Sequence, residues 1–327
     1  MAATTVCGLR QQQHSDKQSA LQHVNDYEPY IEDRQLRILL YGPAGAGKSS
    51  FINSVKSVLE GRMSTLALVD NISHDSFTKE PLLPPHTEWR SGMADQTESL
   101  PGVKAFSATD PSELVLSAEP EGLSEYTTYK VKKENPSNFY PFVFNDIMGI
   151  TQNKGIVVDD VKLALMGRVK DDYVFNPEHK LSEGDQYYNT TVNPNDKVHV
   201  LVCVIPADTV SQMREEVTKK TLEIRRAASD LGIPQVAIIT KIDKACPEIK
   251  KDLKNVYKSV YLKEMMEQLS VNVGIPINCI FPVRNYFEEI DFNDDVDSLT
   301  LRALRHIIDF GEDFMNHKMS QSEGSHK

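Results

Sequence analysis

The sequence predicts an α/β fold with a mostly parallel sheet and helices on both faces. Three observations predict it. Short aliphatic runs recur along the chain, as in Leu36–Tyr41, Val198–Ile205 and Gln235–Ile239. Strands buried on both faces read as continuous apolar runs of this kind. Helical patterns separate them, and strands alternating with helices give a parallel sheet covered on both sides. A glycine-rich turn joins the first run to the first amphipathic helix.

Each element follows in order. Residues 1–33 are polar and read as a flexible or partly helical lead-in. Leu36–Tyr41 is the first strand. Phe51, Ile52, Val55, Val58 and Leu59 make one helical face, with Gly61 as the stop. Strands follow at Tyr126–Val131, Phe142–Phe144, Val198–Ile205, Gln235–Ile239 and Ile277–Phe281. Helical stripes lie at 161–169, 210–231, 248–272 and 297–316. The main domain is thus 34–315, and 316–327 reads as a disordered tail. Residues 80–125 break the pattern. They hold six prolines, nine acids, two bases and no sustained period. That composition predicts a disordered insertion.

Composition narrows the function classes. The 327 residues are 40% hydrophobic and 25% charged, enough to bury a core. Lys and Arg number 36 against 47 Asp and Glu, for a net charge of -11. Such a chain repels nucleic acid and anionic lipid as a whole, so no direct nucleic-acid partner is expected. There is no apolar run of spanning length, secretory leader or lipidation signal, so no membrane anchor is expected. Four scattered cysteines (Cys7, Cys203, Cys246, Cys279) suit a reducing, cytoplasmic compartment.

The chemistry begins at Gly42-Pro43-Ala44-Gly45-Ala46-Gly47-Lys48-Ser49, a complete G-x-x-x-x-G-K-[ST] phosphate loop between strand and helix. Glycines let the backbone wrap phosphates with its N–H groups inward, and the helix adds its positive end, Ser50 included. Lys48 is expected on the β- and γ-phosphates and the Ser49 hydroxyl on Mg²⁺. Asp146-Ile147-Met148-Gly149 follows a strand. Asp146 is expected to hold the Mg²⁺ shell, and the Gly149 N–H to approach the γ-phosphate. Thr240-Lys241-Ile242-Asp243 ends another strand and fits the guanine-reading [NT]-K-x-D element. The Asp243 carboxylate accepts from guanine N1–H and N2–H₂, a donor pair adenine lacks. The Lys241 stem can lie across the base. The ligands expected are therefore GTP or GDP with Mg²⁺. Val283-Arg284-Asn285-Tyr286 is a further base-loop candidate, with Asn285 as its contact or a mere turn residue.

Spacing tests the set. Lys48 and Asp146 stand 98 positions apart, whereas one helix, two strands and turns need about fifty. Without 80–125 the gap is 52. The insertion therefore falls between the two switch regions. The switch threonine stays open among Thr78, Thr65, Ser76 and a residue after the insertion.

The runs Leu39–Val58, 139–149, 235–243 and 274–286 resemble the interferon-induced protein 44 and 44-like family. The resemblance spans roughly 35–315, interrupted by 80–125. It implies a P-loop G domain in a cytoplasmic, interferon-driven antiviral response. Longer members carry an N-terminal TLDc-type domain, which this chain has no length for. By analogy with other interferon-induced GTPases, it also implies homo-oligomerisation through the G domain.

No catalytic residue is assigned. Ras-type GTPases place a water-orienting Gln after D-x-x-G, and here that position is Ile150. Gln152 lies two residues on, and no arginine finger is assigned, Arg62 and Arg90 being flexible candidates. The expectation is slow or partner-dependent hydrolysis, with a non-hydrolysing scaffold or adaptor as the alternative. His199 reads as a satisfied strand histidine. The acidic group Asp291, Asp294, Asp295 and Asp297 reads as a solvated loop and helix start.

Overall fold

A computed structural model describes residues 17–64, 125–133, 138–147, 149–151 and 156–324. Nearly all of the predicted insertion, the switch candidates Thr65, Ser76 and Thr78, and Arg90 and Gln152 lie outside the described residues. So do Met148 and Cys7.

Six strands form one sheet in the order β2-β3-β1-β4-β5-β6. They are β1 (Leu36–Tyr41), β2 (Thr127–Lys132), β3 (Phe139–Asp146), β4 (Val200–Pro206), β5 (Gln235–Thr240) and β6 (Ile280–Pro282). Every pairing is parallel except that of β2 with β3. The predicted fold class, α/β with a mostly parallel sheet and helices on both faces, is what the chain adopts.

The central strands have no polar side because both faces are covered. Leu36, Ile38 and Leu40 of β1 point one way with Val200, Val202, Val204, Val236 and Ile238. Leu39 and Tyr41 point the other way with Leu201, Cys203, Ile205, Ala237 and Ile239. The strand period of two deals neighbouring residues to opposite cores. The first core is closed by helix α1 (17–25), α2 (Lys48–Glu60) and α8 (Asp294–Gly324). The second is closed by α3 (Val158–Leu165), α4 (Glu215–Asp230) and α7 (Val260–Val273), beside the short α5 (Ile242–Ala245) and α6 (Pro247–Lys251). Each fully buried Leu, Ile or Val contributes about 1.5–3 kcal/mol relative to exposure, so the sheet is the main source of stability.

Local chemistry revises several boundaries. The helical stripe over 210–231 is split. Ala207–Gln212 is a 3₁₀ segment, and α4 starts at Glu215, where Glu215 and Glu216 favour the positive helix end. The pattern over 248–272 is three pieces. Asp252 caps a 3₁₀ turn at Leu253–Asn255, and the Ser259 side chain caps α7 by accepting from the Leu262 N–H. The predicted strand 277–281 begins as a 3₁₀ turn, Ile277–Cys279, before β6. The strand expected from Val198 starts two residues later. The segment read as a disordered tail is helical as far as Gly324, because α8 continues unbroken past 315. Among the described residues, no helix is long and apolar enough to cross a membrane.

Candidate functional site

Parallel order puts the C-terminal ends of β1, β3, β5 and β6 on one edge of the sheet. Each of the four motifs leaves from one of those ends, so residues far apart in sequence meet there.

The loop 42–47 follows β1 and runs into α2. Gly42 packs so closely on β4 that a Cβ there would stand 2.1 Å from the Val204 carbonyl oxygen. No side chain caps α2, and no acid stands in its first turn. The positive helix end at Lys48, Ser49 and Ser50 is therefore not offset by a carboxylate of its own turn. Lys48 is largely buried.

The loop after β3 lies against this one. The Ile150 N–H donates to the Gly42 carbonyl at 2.9 Å, and the Ala44 N–H to the Ile150 carbonyl at 3.4 Å. Pro43 and Ile150 form a parallel bridge. Gly149 sits where a Cβ would come within 2.4 Å of the Ala44 Cα. Only glycine lets these backbones approach so far. From the end of β3, the buried Asp146 accepts a 2.5 Å hydrogen bond from the Ser49 hydroxyl at its Oδ2. Hydroxyl and carboxylate together are the hard oxygen set that suits Mg²⁺. A close backbone cradle, an uncapped helix end and this oxygen pair fit a phosphate chain with Mg²⁺.

Thr240 ends β5 fully buried, and its hydroxyl donates to the Ala46 carbonyl at 2.6 Å. Lys241 follows with φ 54°, in the left-handed region that non-glycine residues seldom enter. That turn starts α5 and puts Asp243 in its first turn, partly exposed. After β6, the Asn285 amide Nδ2 donates to the Gly47 carbonyl at 3.0 Å, and the Tyr286 N–H donates to Ser54 Oγ at 2.9 Å. Asn285 thus braces the phosphate loop at Gly47. Gly45 and Gly47 complete the loop with positive φ.

The predicted residues Gly42–Ser50, Asp146, Gly149, Thr240, Lys241, Asp243 and Asn285 therefore converge on one edge. Two features were not read from the sequence. Arg284 Nε stands 3.8 Å from Asp243 Oδ2, and Arg284 Nη2 bonds Glu289 Oε1 at 2.5 Å. Asp297 is not solvated. It is buried, accepting from the Tyr286 hydroxyl at 2.5 Å and from Lys17 at 2.7 Å. A hydrogen-bonding ring and an ammonium make its burial tolerable. Tyr286 one position after Asn285 was the sole signal, and it names no partner.

Elsewhere the polar groups are structural. His199 Nδ1 accepts from the Arg37 N–H at 2.9 Å, and burial, aided by Arg37, lowers its pKa to about 4. It is the satisfied strand histidine expected. Burial pushes the Cys203 thiol up to about 12, which makes it inert. Among the described residues no group of three or more His, Cys, Asp and Glu side chains could hold a metal.

No family model matches the chain. Over 302 residues it is 27% identical to interferon-induced protein 44 of Homo sapiens, covering 91% of this chain and 57% of that protein. The Mus musculus protein of that name is 28% identical over 297 residues, covering 90% and 59%. Human interferon-induced protein 44-like is 26% identical, covering 90% and 56%. The chain thus spans less than three-fifths of these relatives' length. Among solved structures, a dimerization-deficient mutant of Toc33 from Arabidopsis thaliana aligns over 92% of both chains at 11% identity. Its TM-score is 0.42, too loose a likeness to bear on the site. The chain is a relative of interferon-induced protein 44 and 44-like, similar to them over about 90% of its own length, as its motifs and linking sequence indicate.

Proposed function

We propose that the chain binds a guanine nucleotide with Mg²⁺ and turns GTP over slowly, or only with a partner. The observation that carries this reading is the convergence of three loops on one sheet edge, with Ser49 2.5 Å from Asp146. In this reading the N–H groups of Gly45–Ser50 and the Lys48 ammonium bind the phosphates. Ser49 and Asp146 hold Mg²⁺, which when bound neutralises phosphate charge. The Gly149 N–H faces the γ-phosphate. Asp243 accepts from the guanine N1–H and N2–H₂, and the Lys241 stem covers the base.

One observation favours slow turnover or a non-hydrolysing scaffold. Ile150 fills the position after Gly149, is buried and is bridged to Pro43. An apolar side chain there orients no water. The relatives' names state induction by interferon, and we extend that setting to this chain as a cytoplasmic protein of the antiviral response. Assembly of copies through the same domain belongs to the proposal, as does the insertion of 80–125 between the switch regions.

The test is titration with fluorescent GTP and ATP analogues in Mg²⁺, beside Lys48→Ala and Asp243→Asn. Binding selective for GTP and lost in both variants is expected. No binding by folded wild-type protein refutes the reading, and turnover of bound GTP then separates switch from scaffold.

A further inference from the structure

Arg284 is the first polar residue after β6, and it stands beside the carboxylate assigned to the base. Its Nη2 is anchored on Glu289 Oε1 at 2.5 Å. Glu289 is itself fixed, since its other oxygen accepts from the N–H groups of Phe287 at 2.8 Å and Glu288 at 3.2 Å. Burial pushes the Glu289 carboxyl up, but these N–H donors and Arg284 outweigh it and hold it below its ordinary value. The anchor is therefore charged at neutral pH. The Nε end of Arg284 points toward Asp243, 3.8 Å from Oδ2. That separation is too long for a hydrogen bond, so Asp243 keeps its acceptor capacity. Both side chains are part-exposed, at 29% and 23%. A guanidinium has five N–H donors in a fixed plane, and Glu289 engages the Nη2 end.

A carboxylate beside an anchored guanidinium is an acceptor next to a donor. Guanine presents the complement: N1–H and N2–H₂ donors next to the O6 acceptor. Adenine places an N6 amino donor where O6 would be, opposite the guanidinium. We propose that Arg284 is a specificity-determining residue that donates to guanine O6 while Asp243 accepts from N1–H and N2–H₂. This rests on the guanine-nucleotide reading above and adds a second contact to it. Arginine on O6 is a favoured guanine contact wherever that edge is accessible. A site built to meet O6 also rejects adenine by leaving donors facing donors.

The test crosses one side chain with one atom of the base. GDP and 6-thio-GDP share the N1–H and N2–H₂ donors, but sulfur at position 6 is a weak acceptor. Affinities of both are measured for the wild type and for Arg284→Met, whose fold is checked by its unfolding midpoint. Wild type is expected to favour GDP by about tenfold or more, the range of a charge-assisted hydrogen bond. In Arg284→Met, GDP affinity should fall by that factor while 6-thio-GDP changes less than twofold. Equal weakening of both nucleotides overturns the proposal, because Arg284 would then act on the site as a whole. Equal wild-type affinity for the two also overturns it, without any variant. If the wild type binds neither nucleotide, the guanine reading itself has failed and this inference falls with it.

Discussion

Replacing Gly149 by alanine tests whether two loops must touch for the site to exist. The added Cβ would stand 2.4 Å from the Ala44 Cα, 2.6 Å from its N and 2.8 Å from its Cβ. The first two are backbone atoms, so no rotamer relieves the clash. Ordinary carbon contact begins near 3.5 Å, so the loops must part by about 1 Å. Two hydrogen bonds flank the contact, Ile150 N–H to Gly42 and Ala44 N–H to Ile150, at 2.9 and 3.4 Å. Losing both costs about 1–3 kcal/mol. Overpacking costs about as much again, and relaxation that removes one part removes some of the other. We expect Gly149→Ala to lose about 2–4 kcal/mol in urea unfolding. Fluorescent GDP affinity should fall at least tenfold, since Ala44 lies in the phosphate loop. A variant within 0.5 kcal/mol of wild type and of unchanged affinity refutes both the close packing and its link to binding.

His199 makes stability pH-dependent. Burial, then Arg37, lowers its pKa from 6.5 to about 4, so the unfolded chain binds the extra proton between those values. Its stabilisation is complete above pH 6.5 and is lost as pH falls to 4, about 3 kcal/mol in all. Urea midpoints from pH 4 to 7 should show that slope, and His199→Gln should flatten it. Ile150→Gln restores the residue type of Ras-type enzymes but at a buried position. It should cost about 1–3 kcal/mol and leave single-turnover GTP hydrolysis unchanged. A tenfold gain in turnover would show that position 150 reaches the water.

Legibility along the chain tracks burial. β1, β4 and β5 were readable because strands covered on both faces are built mainly of apolar residues. The phosphate loop was readable because Gly42 must pass within a Cβ's width of Val204. Periodicity failed where helical spacing continued across a break. Val210, Met213 and Val217 keep one stripe, yet Met213 and Arg214 take extended ψ angles of 120° and 143°. Ser259 and Asp252 carried the capping signals that divide 248–272, and side-chain spacing overrode them. For α8 the reading erred in the other direction, since a polar surface does not end a helix that is already nucleated.

The sequence by itself determined the sheet class, the motif order and the chemical type of each loop. Those rest on local requirements: glycine where backbones approach, apolar runs where both faces are buried, a carboxylate at a strand end. Only the tertiary structure decided which polar groups meet. Asn285 reaches Gly47 across 238 positions, Thr240 reaches Ala46 across 194, and Lys17 reaches Asp297 across 280. Arg284 beside Asp243 and Asp297 beneath Tyr286 are outcomes of that folding. A charged residue reads the same in sequence whether it ends in water or against a partner, and strand order supplies the partner.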